Sequence, residues 1–143
     1  MKKFVFELQE VLDIRKFEQQ IAESELGKAL AAENQIQQQL DALAQKQVQV
    51  QSQMKGSVNF TDIANANQFY TYVRNTSEQL LQQLAEAKLV SDQKREVLKS
   101  CMQKTDALER LKETQEQEFK QEVKAKEAKE IDDITTGRFG RQF

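Results

Sequence analysis

The sequence contains no proline, no tryptophan and no histidine, and only four glycines in 143 residues. These are the residues that punctuate a compact fold with turns and breaks, so long uninterrupted helices become the default. Without histidine the chain lacks the commonest side chain for general acid–base work. With a single cysteine, Cys101, it lacks a zinc ligand set and any internal disulfide, so Cys101 reads as a small apolar residue in a helix seam.

No sign of charge dominates either. The 21 basic residues are interleaved with 23 acidic ones for a net charge of −2, a distribution that builds no field to attract nucleic acid or an anionic membrane. Consecutive apolar residues come in short runs such as Phe4-Val5-Phe6, far below the roughly 20 that a spanning helix needs, so no membrane insertion is expected. The basic start Met1-Lys2-Lys3 gives way to Glu7 before a secretory apolar stretch can form, and the chain is expected to stay in the cytosol.

What the sequence does have is a repeat. From Ala22, alternating steps of four and three give Leu26, Ala29, Glu33, Ile36, Leu40, Leu43, Gln47, Val50 and Met54, the 3.5-residue period of a coiled-coil seam. Traced backwards, the register passes Gln19 and Arg15 to Leu12 and Leu8. Beside it Val11, Ile14, Phe17 and Ile21 form a second apolar row. The residues alone leave two explanations open: a surface that touches something besides the hairpin partner, or a drift in register.

The periodicity stops between Lys55 and Thr61, where Gly56 suits the left-handed residue just past a helix end. Thr61 or Asp62 then offers an N-cap oxygen. A second seam follows through Ile63, Ala66, Tyr70, Val73, Ser77, Leu80, Leu84, Ala87, Ser91, Lys94, Leu98, Cys101, Thr105 and Leu108. Beyond it Asp106/Arg110, Glu116/Lys120 and Glu122/Lys126 lie four apart, a spacing at which ion pairs each contribute a few tenths of a kcal/mol. Gly137 and Gly140 are expected to stop the helix.

The fold expected is all-α: a long antiparallel two-helix coiled-coil hairpin, a single domain over residues 1–143. Helix one covers about residues 5–55, the tip loop 56–61, helix two 62–135 and a flexible end 136–143, which makes the helices about 75 Å and about 110 Å long. A tip at this place sets Leu8 near Leu108 and Ile36 near Leu80. Helix two then overhangs, carrying Leu111, Phe119, Val123, Ile131 and Ile134 without a hairpin partner.

Two thin helices enclose no reaction site, and the sequence has no glycine-rich phosphate loop and no nucleophile elbow, so no catalytic residue, cofactor or metal is expected. Asp132-Asp133 and Glu127/Glu130 read as solvated carboxylates rather than metal ligands. Nine glutamines between Gln35 and Gln53 give helix one a neutral, wettable outer face. In Gln68-Phe69-Tyr70-Thr71-Tyr72-Val73 three aromatics span more angle than one seam can bury, so at least one ring is expected to be exposed. Phe69, Val73, Thr76 and Leu80 form a stripe at i, i+4, i+7 and i+11, readable either as a thickened core or as a partner-binding hot spot.

The opening Phe6-Glu7-Leu8-Gln9-Glu10-Val11-Leu12-Asp13-Ile14-Arg15, the Gln68-Phe69 that enters helix two, and the close, Leu108-Glu109-Arg110-Leu111-Lys112-Glu113 with Lys129-Glu130-Ile131-Asp132-Asp133-Ile134 and Arg138-Phe139, resemble the flagellar export protein family FliJ in order and spacing. The resemblance covers nearly the whole chain. It implies a non-enzymatic cytoplasmic component of the flagellar type III export apparatus, peripheral at the base of the flagellum. Its fold would be similar to the coiled coil of the rotary ATPase gamma subunit.

The partners implied are the export ATPase ring, whose assembly it would promote, the cytoplasmic domain of the export gate membrane protein, and substrate-specific export chaperones. Free, it would be a monomeric hairpin. Carried onto this chain, the gate-binding stripe falls on Phe69, Val73, Thr76 and Leu80, with Thr76 departing from a purely small apolar pattern. The ATPase end would include Arg15, Lys112 and Lys120. A stalk of a virulence-type secretion system has the same architecture, and a purely structural homodimeric scaffold is the rival from another class. The polar seam positions, among them Glu33, Ser77, Ser91 and Lys94, weigh against a tightly self-associating rod.

Overall fold

The computed structural model describes the backbone of residues 2–56 and 59–141 and the side chains as far as residue 137. It contains two helices, α1 (Gln9–Gln53) and α2 (Phe60–Arg141), the second much the longer. Antiparallel packing of the two groups the chain into two compact units. Unit 1 consists of residues 1–19 and 100–143, and unit 2 of residues 20–99.

In unit 2 the expected seam is the observed one except at Ile63, which is exposed. From Ala22 to Val50 on α1 and at Met54 just past its end, and from Ala66 to Leu98 on α2, every position of the repeat is buried or half-buried. Its fully apolar layers are Ala22, Ala66, Val73, Leu80 and Leu84, each less than a tenth exposed. Small and β-branched residues alternate with leucine there, which lets the two helices approach and interlock.

The polar layers are satisfied. Ser91 is fully buried, and its hydroxyl lies 3.0 Å from Glu33 Oε2 across the seam and 3.0 Å from the Lys88 carbonyl of its own helix. One layer away Lys94 Nζ stands 3.9 Å from Glu25 Oε2. Among the described residues no buried side-chain nitrogen or oxygen lacks a hydrogen-bond partner. A buried hydroxyl with a charged acceptor is stable in place and costly to misalign.

The tip differs from expectation in its cap. α1 ends in a turn at Met54, and Gly56 adopts the left-handed backbone, φ 81°, that a residue past a helix end calls for. The cap of α2 is Asn59, not Thr61 or Asp62. The Asn59 side-chain oxygen accepts the Thr61 amide at 3.0 Å and its carbonyl accepts the Ile63 amide at 3.1 Å. Asparagine offers the same short acceptor two residues earlier, so α2 starts at Phe60. Ser57 and Val58 of the expected tip lie outside the described residues.

The pairing of the helices also differs from expectation. Glu33 meets Ser91 and Glu25 meets Lys94, whereas the alignment of Ile36 with Leu80 would bring Glu33 opposite Gln83. Both contacts lie further along α2 than that alignment, by eight residues at Ser91 and by three at Lys94. Phe60 and Ile63, in the first turn of α2, are exposed at 83% and 41%.

In unit 1 the seam is anchored by Leu12 at 1% exposure and Thr105 at 5%. The Thr105 hydroxyl donates back to the Cys101 carbonyl at 3.0 Å, and Cys101 is half-buried in the seam. Lys16 Nζ reaches Glu109 Oε1 at 3.5 Å. α1 begins at Gln9 rather than near residue 5, and the residues before it run non-helically along α2. Phe6 is buried, Val5 is 77% exposed, and Phe4 packs its ring 5.7 Å from that of Phe119. The alternation follows the two-residue period of extended chain.

The other end of α2 also departs from expectation. Residues 136–141, read from sequence as a flexible end, are helical. Glycine lowers helix propensity by about 1 kcal/mol without forbidding the helix, and it stops one only when it turns left-handed. Gly56 is the only glycine with positive φ among the described residues. Gln142 and Phe143 lie outside the described residues. The pairs Asp106/Arg110, Glu116/Lys120 and Glu122/Lys126 do not form ion pairs; the observed intrahelical ones are three apart, Arg15–Glu18, Lys28–Glu25 and Arg95–Asp92. In water such pairs gain little against side-chain entropy.

Candidate partner-binding surfaces

Unit 1 carries the most continuous exposed apolar surface. Val11, Ile14 and Phe17 are exposed at 39, 57 and 62%, and Leu8, expected in the seam, joins them at 38% just ahead of α1. A step of three turns the helix by about 300°, so the row winds slowly round α1 and makes a broad face. Register drift does not account for it, because the seam keeps Leu12 at 1%. Exposed large apolar residues standing singly need no explanation, whereas a continuous row does.

In unit 2 the exposed large apolar residues are mostly isolated. Val48, Leu81 and Leu89, at 63, 55 and 65%, each have no exposed large apolar neighbour one turn away. The exceptions are Phe60 with Ile63, both exposed one turn apart, and the aromatic segment. Phe69 sits 6.3 Å from Tyr70 and 6.4 Å from Tyr72, ring centre to ring centre, and Tyr72 is 57% exposed, which meets the expectation of one exposed ring. A groove of about 440 Å³ opens beside Phe69, floored by Val50, Met54 and Ala66 and edged by Gln53, Asp62 and Asn65.

The stripe read from sequence divides here. Val73 and Leu80 are buried at 5 and 8% exposure in the helix–helix seam, while Phe69 and Thr76 remain half-buried at its edge. The four do not form one free surface. The reason is their spacing: Val73 and Leu80 also fall on the seam row through Tyr70 and Ser77, and the seam claims them.

Of the three basic candidates, all fall in unit 1. Arg15 is half-buried with its guanidinium 3.2 Å from Glu18 Oε2. Lys112 is half-buried on the seam side of α2, and Lys120 is exposed. No hydrogen bond or ion pair joins one to another among the described residues.

Lys120 lines a groove of about 550 Å³ with Lys2, Phe119, Val123, Lys124, Lys126, Glu127 and Glu130. Sequence reasoning missed Lys2, Phe4 and Phe6. The signal available was the Phe-Val-Phe alternation, an extended segment ahead of the first helix.

Two helices with an apolar row, an aromatic edge and shallow grooves offer surfaces to other proteins. Over residues 4–142 the sequence matches the family model described as Flagellar FliJ protein. The chain belongs to the FliJ family. No curated protein and no solved structure matches it significantly. FliJ proteins are flagellar export components without catalysis of their own, in keeping with a surface built of rows and edges. No helix among the described residues is long and apolar enough to cross a membrane.

Proposed function

We propose that this FliJ-family chain works on the cytoplasmic side of the flagellar export apparatus, at the base of the flagellum. There it promotes assembly and activity of the export ATPase ring and links the ring to the export gate and to substrate chaperones. The observation that carries the reading is the exposed row Leu8, Val11, Ile14 and Phe17 beside an intact seam. An apolar face that the fold leaves open is where a larger assembly gains binding energy. Arg15, Lys112 and Lys120 supply the charge of that ATPase-facing end.

The gate contact is narrower than the four-residue stripe. Phe69 and Thr76, with Tyr72 beside them, are the groups a partner can reach, and Val73 and Leu80 support them from the seam. Phe69→Ala is expected to weaken gate binding and motility while moving the melting temperature little. A large drop in melting temperature would return Phe69 to the core.

The direct test titrates the purified chain into the export ATPase of the same organism, following hydrolysis rate and ring formation. Stimulation together with ring assembly supports the proposal. No effect, combined with a stable dimer by sedimentation, favours a scaffold in which the exposed rows of two copies pack together.

A further inference from the structure

We infer that the groove at Phe119 and Val123 is a docking surface for an acidic amphipathic helix. Its floor is apolar: Phe119 and Val123, half-buried one turn apart, continue the row that runs through Thr105, Leu108, Lys112 and Gln115 on α2. Phe4 packs its ring against that of Phe119. The groove therefore continues the seam of unit 1 past the point where the chain's own residues cover it, and another helix fits it as α1 fits the seam.

Charge selects the kind of helix. Lys2, Lys120, Lys124 and Lys126 stand around the floor, and none of them is in an ion pair among the described residues. The pairs Glu116/Lys120 and Glu122/Lys126, which the spacing offers, are not made, so these ammonium groups are available to an incoming chain. Glu127 and Glu130 lie toward the far end. Four cations against two carboxylates favour an occupant with acidic flanks and an apolar stripe, whose rim charges steer association and set its orientation.

This deepens the placing of Lys120 at a partner-facing end, and its test needs no ATPase, so either idea can fail alone. The full chain is titrated with a synthetic helical peptide carrying leucine at a and d and glutamate at e and g. Its counterpart with lysine in place of glutamate, and phosphatidylserine vesicles, serve as alternatives. The glutamate peptide should bind at least roughly tenfold tighter than the lysine one. The exposed triple variant Lys120→Glu, Lys124→Glu, Lys126→Glu should lose roughly that factor with its helicity unchanged.

Equal binding of the two peptides, or full binding by the triple variant, would overturn the inference. So would tighter binding to the vesicles, which would make the surface a lipid site. Self-association abolished by Val123→Asp would also overturn it, by making a second copy the occupant.

Discussion

Unit 2 places polarity inside its seam, while unit 1 leaves apolar surface outside. In unit 2, Ser91 and Glu33 meet in the buried row, Lys94 and Glu25 follow one layer away, and the outer apolar residues are mostly isolated. In unit 1 the seam is held by Leu12 and Thr105, and Leu8, Val11, Ile14 and Phe17 face solvent. The difference separates two tasks. A polar layer that pairs in only one alignment fixes the register, at some loss of stability relative to an apolar one. An exposed apolar face does nothing for register and invites a partner.

The largest effects should come from the seams, where the two units ought to behave alike. Leu12→Ala and Leu84→Ala each remove a buried leucine, at 1 and 7% exposure, and should lower unfolding free energy by about 2–5 kcal/mol. Urea denaturation followed by circular dichroism checks both. If Leu12→Ala were nearly silent, the seam of unit 1 would not be a packed one, and the contrast between the units would lie in stability rather than in surface.

Smaller, and specific to unit 2, is the polar layer. Ser91→Ala removes the hydroxyl that reaches Glu33 and should lower stability by about 1–2 kcal/mol. The double variant Glu33→Leu, Ser91→Leu should melt higher than the wild type. Spin-label distances measured across its seam should broaden as alternative registers become populated. A sharp, native distance in that variant would show that the apolar layers set the register by themselves.

The seam was legible in the sequence because it rests on period alone. A row of fourteen positions from Ile63 to Leu108 needs only the 3.5-residue repeat, and apart from the exposed Ile63 its members, polar ones such as Ser91 and Lys94 included, keep their places within it. The start of the second helix was not legible in the same way, because Asn59 competes with Thr61 and Asp62 on nearly equal chemistry. The end of α2 was misjudged because glycine near a helix end stops it only by turning left-handed, as Gly56 does and Gly137 does not.

The candidate surfaces were half legible. The second row at Val11, Ile14, Phe17 and Ile21 and the aromatic triplet stand out in the sequence. The burial of Val73 and Leu80 follows only when the stripe and the seam are compared for shared positions. The packing of Phe4 on Phe119 joins residues far apart in the chain, and period counting within either helix has no term for it.

Ile14→Ser with Phe17→Ser should have the smallest effect on folding, since both side chains are mostly exposed and surface changes away from such packing stay within about 0.5 kcal/mol. The same double variant should have the largest effect on function. The measurement that decides is therefore made on this one protein: its melting curve beside its stimulation of the export ATPase, each against wild type. The account predicts an unchanged melt and loss of stimulation, and full stimulation with the row made polar would contradict it.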